Sequence, residues 1–256
     1  MITLVRKAAL VVATLTAASP SAAVITTFAA FSPATPTRNL LWTKVGTNGG
    51  TLVSISTGSA STLGAAHVKF SFLQPALAPA VTGVKALFLF SGTSAAGNPA
   101  DLSGGFLFQD LTSGSFSFTS STNIMVGSHL YLAGSNLLSG TFVGGGIAGG
   151  NGATSGGVSA STSGGDTITY TSDFLNFSST VSRDWALAFT AANPILARAS
   201  ATSSLRTFRA TTGGNFGSDP VPLTFVPEPG VWAMLIAGLG LVGVQMRRRT
   251  RHTVAA

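Results

Sequence analysis

The middle of the chain alternates. Large apolar residues recur at every second position in Val68-Lys69-Phe70-Ser71-Phe72, Ser115-Phe116-Ser117-Phe118-Thr119 and Thr167-Ile168-Thr169-Tyr170-Thr171. Gly105-Phe106-Leu107-Phe108 begins the same way, and Trp185-Ala186-Leu187-Ala188-Phe189 alternates large with small. A period of two belongs to a strand whose two faces meet different surroundings. Val84 to Phe90 is apolar at every position except Lys85, which predicts a strand in the middle of a sheet. Clusters such as "SGTSAAGNPADLSGG" and "STSGGD" separate these runs and read as turns. Many short strands at this spacing predict an all-β fold, an antiparallel β-sandwich or jelly roll, with the aromatic rows facing inward as its core. The glycine-rich stretch from Gly144 to Gly165 reads as a surface loop or spacer, and residues 214–226 as a linker.

Composition supports strands. The chain of 256 residues has 31 Gly and many Ser and Thr, all of which weaken helices, while 17 Phe supply a core. Charged residues are only 8% of the chain, and there is no cysteine, which excludes disulfides and thiolate metal sites. The net charge of +7 suggests nucleic acid until its distribution is considered. Arg6 and Lys7 lie at one end and Arg247, Arg248, Arg249 and Arg251 at the other. Between Val24 and Val226 eight basic residues stand against six aspartates, so no basic patch is left to neutralise phosphates.

Both ends pair an apolar stretch with basic residues. Arg6-Lys7, the apolar stretch Ala8 to Ala18 and the small residues Ser21-Ala22-Ala23 form a secretory signal, with cleavage after Ala23. At the other end, Gly230 to Met246 is a 17-residue run with one polar member, Gln245. As a helix it is about 25 Å long, at the short edge for crossing a bilayer. The arginines after it predict a cytoplasmic tail and an outer Pro227, in agreement with export of the middle of the chain. Within it, Gly238, Gly240 and Gly243 fit the dinucleotide-binding glycine pattern, but no strand precedes them and no acidic residue follows.

Pro227-Glu228-Pro229, then Trp232-Ala233, then the glycine-rich apolar run and Arg247 to Arg249 closely resemble the PEP-CTERM sorting signal of Gram-negative bacteria, in its PEPxxWA form. The resemblance covers about a tenth of the chain. It implies transient recognition and cleavage by an exosortase, anchoring in the inner membrane through the C-terminal helix, and a final place on the cell surface or in an exopolysaccharide or biofilm matrix. Tails of this kind also go under the label of an ice-binding protein C-terminal domain. The chemistry fits a handle: two prolines fix the backbone and lack N–H groups, so Glu228, the chain's only glutamate, is held on an extended segment. The organisation expected is a signal peptide over 1–23, an ectodomain over 24–213, a linker over 214–226 and the sorting signal over 227–251.

The ectodomain names no reaction. It offers His67 and His129, Asp101, Asp110, Asp166, Asp173, Asp184 and Asp219, and no glutamate. There is no nucleophile elbow to single out a serine, no zinc spacing, and no dense carboxylate cluster for calcium. The expectation is a non-catalytic structural or adhesive protein without a cofactor or bound metal, contacting polysaccharide through surface hydroxyls and aromatics. The alternatives are an exported carbohydrate-active hydrolase and an ice-binding module, the latter without a long regular Thr-x-Thr array.

Overall fold

The computed structural model describes residues 24–224 together with Gly238 and Leu239. The signal segment with its cut after Ala23, the sorting residues Pro227, Glu228, Pro229, Trp232 and Ala233, and the tail residues Arg247, Arg248, Arg249 and Arg251 lie outside the described residues. Of the apolar run only Gly238 and Leu239 are described, and both are helical. Among the described residues no helix is long and apolar enough to cross a membrane.

The described chain is built from strands. In order they are β1 (Thr26–Pro33), β2 (Leu40–Val45), β3 (Gly49–Ser54), β4 (Ala66–Phe72), β5 (Val84–Ser94), β6 (Asp101–Ser103), β7 (Phe106–Asp110), β8 (Ser113–Ser120) and β9 (Ile124–Val126). There follow β10 (His129–Tyr131), β11 (Asn136–Val143), β12 (Gly146–Gly150), β13 (Gly156–Ser161), β14 (Thr167–Thr171), β15 (Leu175–Asn176), β16 (Ser182–Asn193), β17 (Phe208–Asp219) and β18 (Leu223–Thr224). One antiparallel sheet runs β14-β11-β8-β5-β3-β2-β17-β16-β13-β12-β7-β6. The short β1 and β4 make a second bridge between β17 and β5. The sheet folds over at these bridges, so the β5-β8-β11 half packs on the β16-β17 half as a sandwich.

The aromatic rows fill the space between the halves. Phe88 stacks on Phe118 with centroids 4.8 Å apart within one half. Across the gap Phe116 meets Phe216 at 4.9 Å, and Phe142 meets Trp185 at 4.8 Å. Such pairs add about 0.5–1.5 kcal/mol each beyond the area they bury. The predicted alternation is visible strand by strand: in β4 Val68, Phe70 and Phe72 are buried while His67 and Lys69 are exposed.

Three expectations are corrected. Residues 144–165 are not a loop: they hold β12 and β13, paired with each other, with β7 and with β16. Residues 214–219 are not linker. They form the second half of β17, paired with β1 on one side and β16 on the other, with Phe216 buried. Strands thus continue to Thr224, past the expected end of the ectodomain at 213. Lastly, not every aromatic row faces inward. In β7 it is Leu107 and Gln109 that are buried, and Phe106 and Phe108 point out.

Candidate functional site

Gln109 explains the inverted strand. Its amide donates to Ser94 Oγ and to the Asn98 carbonyl, both at 2.8 Å, and its Oε1 accepts the Leu205 N–H at 3.2 Å. A buried amide with its partners in place costs little. Pinning Gln109 inward forces its neighbours Phe108 and Asp110 outward, since adjacent strand residues face opposite ways. Phe106 is 67% exposed and Phe108 45%, and Ser103 and Asp101 of β6 stand opposite them in the ladder.

Beside Phe108 the sheet is floored by glycine. Its ring lies over Gly146, where a Cβ would fall 2.5 Å from Phe108 Cζ. Gly144 has φ +93, and a side chain there would also run into the Asp166 carboxylate. Phe108, Asp110, Gly144, Gly145, Gly146, Ser159, Ser161 and Asp166 border a notch of about 420 Å³. That volume falls among small-molecule clefts, about 300–1,000 Å³. The two carboxylates differ. Asp166 accepts the Gly145 N–H at 2.9 Å on one oxygen and the Ser161 N–H at 2.8 Å on the other. It fixes the turn, which leaves Asp110, exposed at the end of β7, to face whatever enters.

The outer face of the other half is of a different kind. Cross-strand register sets Leu89, Ser117, Ser139 and Thr171 in one row, and Ser91, Ser115, Thr141 and Thr169 in the next. Thr93, Ser113, Val143 and Thr167 make a third. These rows carry no charged side chain. Neighbouring hydroxyls bond one another: Thr141 to Thr169 at 2.6 Å and Ser139 to Thr171 at 2.8 Å. With Leu63 and Leu89 the face frames a shallow groove of about 430 Å³.

The remaining titratable groups are spread over the fold. His67 is exposed on β4, opposite Leu87, and His129 packs edge-on to Tyr131 in the β9-β10 hairpin. Asp173 accepts the Asn136 N–H at 2.7 Å. Burial raises the Asp184 carboxyl, with a bond from the Gly217 backbone opposing the shift. Tyr170, which donates to the Asp184 carbonyl, is pushed well up, first by burial and then by the Asp184 charge. Arg183 donates to the carbonyls of Ile168, Phe177 and Thr180. Arg209 donates to the Ala60 carbonyl. Among the described residues no group of three or more His, Asp or Glu is placed to hold a metal ion.

Sequence reasoning did not single out the notch or the hydroxyl face. The available signal was Asp110 closing an aromatic alternation, and Thr167, Thr169 and Thr171 in one short run.

Comparison with known families finds a match at the C-terminal end of the chain. Residues 225–249 fit the PEP-CTERM protein-sorting motif. The matched span contains Pro227, Glu228, Pro229, Trp232 and Ala233, and ends at Arg249. No curated protein and no solved structure matches the chain. The motif marks an exported protein that is sorted by an exosortase from a membrane-anchored state before release to the surface.

Proposed function

We propose that the PEP-CTERM signal delivers a non-catalytic adhesive protein to the surface of a Gram-negative cell, where the sandwich holds matrix polysaccharide. The observation that carries this reading is the pair Phe106 and Phe108, exposed on a strand beside a glycine-floored notch. Flat apolar rings next to Asp110, Ser159 and Ser161 suit a sugar ring, which offers one apolar face and a rim of hydroxyls. Asp166 is tied to the turn backbone through both oxygens, which supports a structural role for it and so favours binding over glycoside hydrolysis, which works with a pair of carboxyl groups flanking the scissile bond.

The test is retention of the full chain on exopolysaccharide from its own host. Replacing both rings, Phe106→Ala with Phe108→Ala, is expected to weaken retention about 30-fold or more, the scale of a lost aromatic anchor. The far-UV circular dichroism stays unchanged, because both rings are exposed. Undiminished retention rejects the site. Sugar release abolished by Asp110→Asn makes the hydrolase the better reading.

A second reading rests on the hydroxyl rows. Strand geometry repeats them about every 4.8 Å across the sheet and about every 6.7 Å along it, an uncharged lattice able to order water. On this reading the face binds ice, and the regularity that the sequence lacks along its length is made across strands. Thr141→Arg, at the centre of the rows, is expected to abolish any ice shaping by the full chain. Ice growth unaffected by the unaltered protein dismisses this reading.

A further inference from the structure

The strand ends place both ends of the span 24–224 at one end of the sandwich. Thr26 pairs with Ser218 and Ser182 with Asp219 there, and β18 pairs with β15 at the point where the chain leaves for the sorting motif. Gln74 Nε2 ties this exit down by donating to the Pro222 carbonyl at 2.7 Å. The β9-β10 hairpin lies at the same end, since β8 finishes and β11 starts beside it. Its orientation is fixed: Tyr131 stacks on Phe174 at 3.9 Å, and Asn123 Oδ1 accepts the Ala133 N–H at 2.8 Å.

This end carries a group of exposed apolar side chains. Met125, Leu130 and Leu132 of the hairpin region are exposed, and so are Leu73, Val181 and Leu223 around the chain exit. Exposed apolar side chains gathered in one place mark a contact surface. The chain beyond the exit says which contact. Gly230, the start of the 17-residue apolar run, is six residues past Thr224. Six residues span at most about 20 Å fully extended. While the tail is in the membrane, the apolar end of the sandwich is therefore kept within about 20 Å of the bilayer.

We propose that this end is a lipid-contacting face, and that before release the ectodomain stands on the bilayer with the β9-β10 hairpin in the interfacial layer. Met125, Leu130 and Leu132 enter the layer, and Tyr131, apolar in body and polar at its tip, marks its level. The partner is the lipid itself rather than the exosortase.

The absence of cysteine makes the test direct. Single cysteines carrying an environment-sensitive fluorophore are placed in the full chain as Met125→Cys, Leu132→Cys, Ala96→Cys and Leu239→Cys. Ala96 follows β5 at the opposite end of the sandwich, and Leu239 reports insertion of the tail. The protein is reconstituted without exosortase in vesicles of phosphatidylethanolamine and phosphatidylglycerol that contain a lipid-borne quencher. Labels at 125 and 132 are expected to shift to the blue and to be quenched several-fold more than the label at 96. If they behave like the label at 96 while 239 is quenched, the lipid face is wrong. The same is true if they become shielded only when exosortase is added. If 239 also stays in water, the membrane-anchored premise fails and the proposal falls with it.

Discussion

A chain that stops after Gly213 is expected not to fold, whereas one that stops after Thr224 folds. The difference is eleven residues, of which Gly214 to Asp219 are the half of β17 that pairs with β1 and β16. Stopping at 213 removes Phe216, whose ring lies 4.9 Å from Phe116 and 5.4 Å from Phe118. Loss of such a ring alone costs about 3–5 kcal/mol. It also leaves unpaired the ladder groups of β1 and β16 that faced this half-strand. A domain has about 5–15 kcal/mol to lose. Near-UV circular dichroism and urea titration of the two truncations decide the matter. The single change Phe216→Ala should lower the urea midpoint by the share belonging to the ring. A cooperative transition in the chain ending at 213 would mean that the last half-strand is dispensable.

Glu228→Ala is expected to keep the protein in the membrane fraction with its tail attached. The motif that contains Glu228 is the part of the chain that matches a known sorting signal, and the flanking prolines leave this carboxylate as the one charged feature of the handle. A lost charge-assisted contact of about 2 kcal/mol slows processing about 30-fold. Intact mass and cell fractionation in the native host read the outcome. Release of Glu228→Ala at the normal rate, without the residues after Pro229, would show that the carboxylate is not what the processing enzyme reads.

The strands that could be read from the sequence were those in which large apolar residues alternate with Ser, Thr or Lys, as in β4, β8 and β14. The strands that could not were made of glycine. In β12 and β13 small residues reflect crowding rather than freedom: Gly146 lies under Phe108, and a Cβ on Gly156 would meet the Phe189 ring at 2.6 Å. In β17 a Cβ on Gly214 would fall 2.5 Å from the Ala186 carbonyl, so a stretch that resembles a tether is a tightly packed strand. The candidate site was hidden for another reason. A period of two states that the faces differ but not which one is inside. In β7 that choice is made by the partners of Gln109, which lie on β5, the following loop and Leu205. The hydroxyl rows were equally out of reach, because each is assembled from four strands whose register no single stretch contains.

The position of β17 has a consequence for the order of events during export. It joins the two halves of the sheet through β2 and β1, yet it is the last long strand to be synthesised and to emerge. Closure of the sandwich has to wait until Asp219 is across the membrane. Ten residues, Pro220 to Pro229, then separate it from the apolar run expected to anchor the chain. If that run arrests the chain, the last long strand clears the membrane only ten residues earlier, so the sandwich closes close to the end of passage. On the expectation that an exosortase reads Glu228 after that moment, it meets a cargo whose sheet is already closed through β17.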